Sequence, residues 1–249
     1  MRVVVNEPLI RRRGRIGQVV SWLGLGILLA GMIVSFRANP AQPDYARWIG
    51  LSLVCLAVGF IAANIGGYFM RRWGRRPRPD ELLASALKGF DDRHVLFAWS
   101  VPAPLTLLTP RGLYVFATRD QGGTVYHDGQ RWRQPWGLRR LLTFFAQEGL
   151  GNPTADALDD AERLRRFIAS NLPDLAEVPI YPIVVFLHPQ TDLQVNNAKV
   201  PVMPVKKLKT YLRGEGKGEP LQAEHRHALA ALFGLPGKNG RGQEEGAEG

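Results

Sequence analysis

The sequence predicts a two-helix transmembrane hairpin followed by an α/β or α+β domain with a mixed sheet. Residues 16–36 and 48–70 are apolar runs without a charged side chain, and only a short loop separates them. Each run exceeds the roughly 18 apolar residues expected of a spanning helix, and at about 1.5 Å per residue each crosses a hydrocarbon core of about 30 Å. After residue 79, short apolar strand patterns alternate with helical patterns, which predicts the mixed domain.

The composition of the chain indicates which partners suit its charge and which kinds of site its cysteine count excludes. The chain has 249 residues with a net charge of +10, which suits nucleic acid or an anionic lipid surface as a partner. Much of the arginine lies beside the apolar runs, so lipid and topology account for the charge more simply than nucleic acid does. Cys55 is the single cysteine, which excludes a disulfide framework or a cysteine-rich metal site within one chain.

Basic residues flank both ends of the hairpin. They are Arg11, Arg12, Arg13 and Arg15 before the first run, and Arg71, Arg72, Arg75, Arg76 and Arg78 after the second. The loop between the runs carries only Arg37 and Arg47 as basic residues. By the positive-inside rule we expect a protein of the cell membrane with two spans and both termini in the cytoplasm. A cleaved signal peptide is the alternative for the first run, and its length and the second run disfavour it.

The predicted order of segments follows from these patterns. It comprises a basic cytoplasmic N-terminus (1–15), transmembrane helices (16–36 and 48–70) joined by an external loop (37–47), a basic linker (71–79), a cytoplasmic domain (80–213), a C-terminal helix (214–236) and a disordered tail (237–249). Residues 3–5 are valines and fit either a short strand or a segment lying on the membrane. Gly59, Ala63 and Gly67 recur every four residues, which favours close helix packing in the hairpin or in a homo-oligomer.

After residue 79, hydrophobic patterning predicts seven strands and five helices. The strands are 95–101, 105–109, 113–118, 124–127, 131–133, 180–187 and 200–203, and the helices are 81–90, 138–147, about 154–171, 205–212 and 221–233. Thr154 or Asp156 is the expected cap of the third helix. Asp128-Gly129 suits a two-residue hairpin turn. Strands that are apolar on both faces predict a sheet covered by helices.

The order of several motifs resembles the nuclease-related domain, NERD, a family similar in fold to restriction-endonuclease-like nucleases. The motifs are Glu81, the turn 109–112, Gly122-Gly123, Trp132, Asn152-Pro153 and the strand 184–186, and the resemblance covers roughly residues 80–213. It implies a restriction-endonuclease-like fold for the predicted domain.

The departures from the family pattern concern its catalytic positions. The family's Asp falls at Pro104, its Glu at Ala117, its Lys at Arg119 and its helix Gln at Asp156. The resemblance implies that the two acids would hold Mg²⁺ and the lysine would position or activate water. Proline and alanine offer no side-chain oxygen to this hard cation, and arginine does not replace lysine. The nearest acid, Asp120, is predicted to face away from the site because strand side chains alternate.

Two groups of basic residues are candidates for lipid or phosphate contact. They are Arg71, Arg72, Arg75 and Arg76 after the second span, and Lys206, Lys207 and Lys209 on the predicted helix 205–212. The first group is also explained as a stop-transfer signal, and the second as a solvated helix face. Trp132 beside Arg131 and Arg133 fits either a base-stacking platform or a core tryptophan.

These observations predict a non-catalytic, membrane-anchored interaction protein that needs no cofactor and binds an unidentified protein or lipid partner. Binding of nucleic acid without cleavage is the alternative. An active, divergent nuclease that uses Mg²⁺ is the third hypothesis, and the lost acids disfavour it.

Overall fold

A computed structural model of the chain describes residues 1–74, 76–135, 149–214 and 220–235. It divides the chain into two compact units, one formed by Glu7–Arg78 and the other by Met1–Asn6 with the described residues from Pro79 onward. The predicted helix 138–147 and tail 237–249 lie outside the described residues, as does Arg75.

The first unit is a helical hairpin. Helix α1 (Glu7–Arg37) and helix α2 (Tyr45–Phe69) are followed by a π-helical turn, Met70–Gly74. By length and composition, both helices are long and apolar enough to cross a membrane. Helix α1 begins well before residue 16, so the arginines at 11–15 lie on the helix itself.

Small residues seven positions apart bring the two helices together. The buried set comprises Gly17, Gly24 and Gly31 on α1 and Ser52, Gly59 and Gly66 on α2. A Cβ atom on Gly24 would lie 2.6 Å from the backbone nitrogen of Ala63, and the Ser52 hydroxyl donates to the Gly31 carbonyl at 2.9 Å. The most buried small residues follow a seven-residue repeat, and Gly59 and Ala63 of the four-residue pattern also lie at the contact between the helices.

The second unit contains a six-stranded mixed sheet. Its strands, in spatial order, are β1 (Arg2–Val5), β2 (Val95–Ala98), β3 (Leu105–Thr109), β4 (Gly112–Arg119), β7 (Ile180–Phe186) and β9 (Val202–Pro204). Strand β3 is antiparallel to both β2 and β4, while the other neighbours are parallel. The predicted mixed sheet is confirmed.

A separate three-stranded sheet has the order β6 (Trp132–Arg133), β5 (Gly123–His127) and β8 (Thr191–Val195). The β5–β6 connection spans residues 128–131, because His127 pairs with Trp132, so the predicted two-residue turn at Asp128-Gly129 is wrong. The Asp128 carboxylate instead accepts hydrogen bonds from the backbone nitrogens of Gln130 and Arg131, at 3.0 and 2.8 Å. A longer loop with its own side-chain acceptor therefore replaces the tight turn.

Four helices accompany the sheets in the described part of this unit. They are α3 (Pro79–Ala86), α4 (Pro153–Asn171), α5 (Val205–Gly214) and α6 (Ala223–Leu232). Asn152 caps α4, since its side-chain oxygen accepts from the Ala155 nitrogen at 3.2 Å, so the predicted caps Thr154 and Asp156 are wrong. Pro153 follows at the first helical position, where a missing N–H costs nothing.

The first residues of the chain form a strand of this unit. Strand β1 pairs in parallel with β2, and the Asn6 nitrogen donates to the Ala98 carbonyl at 3.0 Å. Of the two alternatives for residues 3–5, the structure has the strand. The chain therefore leaves this unit after Asn6 and returns to it at Pro79.

Candidate functional site

The positions where the nuclease acids are expected fall on or beside two neighbouring strands, β3 and β4. Thr106 of β3 lies opposite Val115 of β4. This is the last pair of the two strands on that side, and Pro104 lies just before β3 begins at Leu105. On its other side, β4 pairs with β7, with Ala117 opposite Val184. Of the two positions, Ala117 therefore lies within a central strand, whereas Pro104 precedes one.

Ala117 lies in an apolar cluster. Its exposure is 4%, and its buried companions are Val125, Leu150, Ala157, Val184, Phe186 and Val200. Such surroundings favour hydrocarbon and strongly disfavour an uncompensated charge. The floor of the candidate site is therefore part of the hydrophobic core.

Arg119 closes the rim of this cluster through all three of its nitrogens. Its Nε donates to the Leu150 carbonyl at 3.0 Å, and its Nη1 donates to the Thr118 carbonyl at 2.9 Å. Its Nη2 donates to the carboxylate of Asp156 on α4 and forms an ion pair with it. Because the Arg119 side chain is only 13% exposed while Asp156 is 53% exposed, the pair lies at the boundary between core and solvent.

Trp132 covers the same cluster from the second sheet. Its ring lies 4.6 Å from the His127 ring and 5.9 Å from the Phe186 ring, and its Nε1 donates to the Thr154 hydroxyl at 2.9 Å. The neighbouring Arg133 pairs with Asp128 at 3.2 Å. These contacts favour the core tryptophan over the base-stacking platform.

The residues at this site do not fit a magnesium ion. Pro104 has no side-chain oxygen, and its carbonyl accepts a hydrogen bond from the Trp99 nitrogen at 2.8 Å. Ala117 has none either, and Asp156 faces the Arg119 cation. Magnesium requires several converging oxygen ligands. Across the described ranges, His, Cys, Asp and Glu side chains form no group of three or more that could hold a metal.

The remaining acids near the predicted motif stand apart from the cluster at Ala117. Asp120 is exposed and follows the last residue of β4, and Glu81 is half-buried on α3. Neither belongs to the buried set around Ala117.

The two predicted groups of lipid or phosphate contacts lie in different units. On α5, Lys206 and Lys207 are exposed, whereas the Lys209 ammonium donates to the Lys88 carbonyl. In the hairpin unit, the Arg72 guanidinium lies 5.7 Å from the Trp73 ring centre. Arg76 is exposed, and the Arg71 side chain lies outside the described part. These residues stay predictions as contacts for lipid or phosphate.

Sequence reasoning treated Arg119 and Asp156 as two separate losses and missed their ion pair. A signal was available, because the two departures from the family pattern carry opposite charges. A cation in place of lysine and an acid in place of glutamine favour direct pairing once helix α4 packs on β4.

A helix-covered mixed sheet with these positions at the end of its central strands defines a restriction-endonuclease-like domain. The family model described as nuclease-related domain, NERD, matches residues 82–187, so the chain carries a NERD domain within the segment that the resemblance indicated. The match covers less than half of the 249 residues. Comparison of the chain with curated proteins found no match, and neither did comparison with solved structures.

Proposed function

We propose that this protein is a non-catalytic NERD protein, anchored in a membrane, whose domain binds a protein or lipid partner at the cytoplasmic face. The contact between Arg119 and Asp156 carries this proposal, because an ion pair at the rim and an apolar floor lie where the resemblance implies the metal ligands. Arginine keeps its proton under physiological conditions and cannot serve as a lysine-type base.

The pairing of β1 with β2 supports an even number of membrane crossings. Both strands belong to one sheet, and the chain between them contains the two candidate spans. Two strands of one sheet must lie on the same side of a bilayer, so a single crossing would break the sheet. The arginines at both ends of the hairpin favour the cytoplasm as that side.

Accessibility of single cysteines tests this topology. In a Cys55→Ser background, we expect Ala41→Cys in the loop to react with a membrane-impermeant maleimide in intact cells. Gln190→Cys, an exposed position of the domain, should react only after lysis. Reaction of the domain cysteine in intact cells would rule out the cytoplasmic assignment.

A nuclease assay tests the loss of catalysis. The purified full chain in detergent is expected to leave single- and double-stranded DNA and RNA intact with either Mg²⁺ or Mn²⁺. Cleavage that disappears in Asp120→Ala or Glu81→Ala would establish the divergent nuclease instead, because those variants remove the nearest available metal ligands.

Binding of nucleic acid without cleavage is a second candidate, favoured by the exposure of Lys206 and Lys207 on α5. It predicts a complex that weakens steeply between about 50 and 200 mM salt and weakens further in the Lys206→Ala, Lys207→Ala variant. Arg165→Ala with Arg166→Ala is the matched control, since both arginines pair with Glu162 and the same charge is removed. Fluorescence anisotropy with labelled oligonucleotides measures both, and no binding at low salt dismisses this candidate.

A further inference from the structure

One face of α1 carries a basic groove at the end that precedes the apolar run. The groove has a volume of about 770 Å³ and is lined by Glu7, Pro8, Arg11, Arg12, Arg15 and Ile16. Positions three and four apart on a helix share a face, so the three guanidinium groups are grouped by the helix itself. Ile16 marks the point where this face becomes apolar.

The charge of this groove is uncompensated. In the part of the chain that the structure describes, Arg11, Arg12 and Arg15 form no ion pair. Glu7, the acid of the groove, already accepts a hydrogen bond from Arg78 at 3.2 Å. The intervening Arg13 differs, because its guanidinium lies over the Trp73 ring, 4.9 Å from the ring centre. The groove therefore offers three cations to an anionic ligand.

The same face continues into a second, apolar groove. Its volume is about 470 Å³, and its lining comprises Val19, Trp22, Leu23, Gly26, Ile27 and Ala30. A Cβ atom on Gly26 would meet nothing within 4 Å, so the missing side chain deepens the groove. At about 1.5 Å per residue, the stripe from Arg15 to Ala30 extends about 22 Å along the helix.

We propose that this face of α1 binds one anionic phospholipid, with its phosphate held by Arg11, Arg12 and Arg15 and one acyl chain lying along residues 19–30. Guanidinium groups bind phosphate oxygens through paired, charge-assisted hydrogen bonds. The site rests on the proposed membrane anchoring. It differs from the arginines after residue 70, because here a headgroup site and an acyl groove are collinear.

A second copy of the chain is the competing occupant of the groove at Gly26, since small residues also favour helix pairing. A parallel pair of α1 helices through this face would bring the three arginines of each copy against those of the other. Like charges in contact oppose association. An anionic lipid offers the opposite charge at the same place, so the charge pattern favours the lipid.

Quenching of Trp22 by brominated lipid tests the proposal. The full chain is reconstituted in phosphatidylcholine vesicles that contain brominated phosphatidylglycerol or brominated phosphatidylcholine at equal fractions. The Trp22 signal is the difference between the parent and Trp22→Phe. We expect phosphatidylglycerol to compete for this position at least about five-fold more effectively than phosphatidylcholine.

Two variants and one control separate the parts of the site. Arg11→Gln with Arg12→Gln and Arg15→Gln should bring the ratio between the two lipids to about one, because the headgroup contacts are lost. Gly26→Leu should weaken quenching by filling the acyl groove. Arg13→Gln with Arg37→Gln and Arg47→Gln removes the same charge from residues that do not line the groove, and should leave the ratio unchanged.

Equal quenching by the two lipids, or an unchanged ratio in the variant without the three groove arginines, would overturn the proposal. So would a dimer detected by native mass spectrometry that Gly26→Leu dissociates, because a second copy would then fill the groove. A chain that fails to float with the vesicles refutes the membrane anchoring. A chain that floats without any preference for phosphatidylglycerol refutes the lipid site alone.

Discussion

The two ends of strand β4 lie in different core clusters and differ in the contacts that close them. Toward its start, Leu113 and Val115 are fully buried in one core cluster. Toward its end, Ala117 is buried in a second cluster, and Arg119 closes the strand. Both ends are apolar inside, so the side chains of β4 are buried in hydrophobic core from Leu113 to Ala117.

The two ends differ in what closes them. The first cluster is closed by an edge-to-face contact between Phe97 and Phe233, whose ring centres lie 5.1 Å apart. The second is closed by Arg119, which uses its nitrogens on Leu150, Thr118 and Asp156. The comparison teaches that one sheet can be closed by aromatic packing at one end and by a cation with three acceptors at the other.

The largest expected effect is at the start of β4, where the contact between Phe97 and Phe233 closes the first cluster (the aromatic end). Phe233→Ala should lower the free energy of unfolding of the domain by about 3–5 kcal/mol, because a fully buried ring is removed and a cavity remains. Denaturant unfolding of the full chain in detergent, followed by circular dichroism, measures it. Phe36→Ala is the control, since Phe36 is 82% exposed in the hairpin unit. A loss below about 1 kcal/mol would show that the C-terminal helix is dispensable for this core.

The next effect tests the apolar floor at the other end. Ala117→Glu should destabilise the domain by about 3 kcal/mol, because the new carboxylate is buried while the nitrogens of Arg119 are already engaged. Thr118→Glu, on the half-buried neighbouring position, should cost much less. Stabilisation of the Ala117→Glu variant by Mg²⁺ would contradict our description, since it would mean that one acid restores a metal site.

Much of the fold followed from hydrophobic patterning, because long apolar runs and strands apolar on both faces leave few alternatives. Two strands of the structure were not assigned from the sequence. Strand β1 is four residues long, and its partner β2 begins at Val95, so its conformation is decided by a distant pairing. Strand β8 reads Thr-Asp-Leu-Gln-Val, with Asp192 and Gln194 exposed and the other three residues half-buried, so only Leu193 and Val195 form its short apolar face.

The positions of the candidate site come from the resemblance and stay a prediction, whereas its contacts were not predicted. Pro104 and Ala117 were assigned by their spacing to Gly112 in the family pattern. The ion pair joins Arg119 to Asp156, which lie 37 residues apart. It depends on how α4 packs against β4, so the opposite charges at the two positions indicate the pair only once that packing is known.

A smaller effect tests whether the ion pair closes the second end. Arg119→Met should cost about 2 kcal/mol, partly because it leaves the buried Leu150 carbonyl without its donor, and Asp156→Asn should cost less than about 1 kcal/mol since Asp156 is half exposed. A double-mutant cycle should give a coupling of about 1 kcal/mol.

The exposed pair of Arg165 with Glu162 serves as the comparison for this cycle. Both side chains are about half exposed, at 48% and 50%, and their N–O distance is 3.0 Å. Its coupling should be about 0.3–0.5 kcal/mol, as for surface pairs on a helix. Equal couplings for the two pairs would mean that Arg119 and Asp156 contribute only as a surface pair.

The smallest effect concerns the pH dependence of the free energy of unfolding. It arises at Asp91, which lies just before β2 at the aromatic end. The hydrogen bond from Arg93 to Asp91, followed by that with His94, lowers the pKa of Asp91 to about 2. An unfolded aspartate has a pKa near 4, so this contribution is present above pH 4 and is lost as the pH falls toward 2. The Asp91 side chain is 43% exposed, so solvent screening limits this contribution to about 0.5 kcal/mol.

Asp91→Asn should flatten the pH dependence of unfolding between about pH 4 and 2, whereas Asp174→Asn, at another exposed position, should leave it unchanged. An unaltered slope in Asp91→Asn would place the acid sensitivity of this end elsewhere.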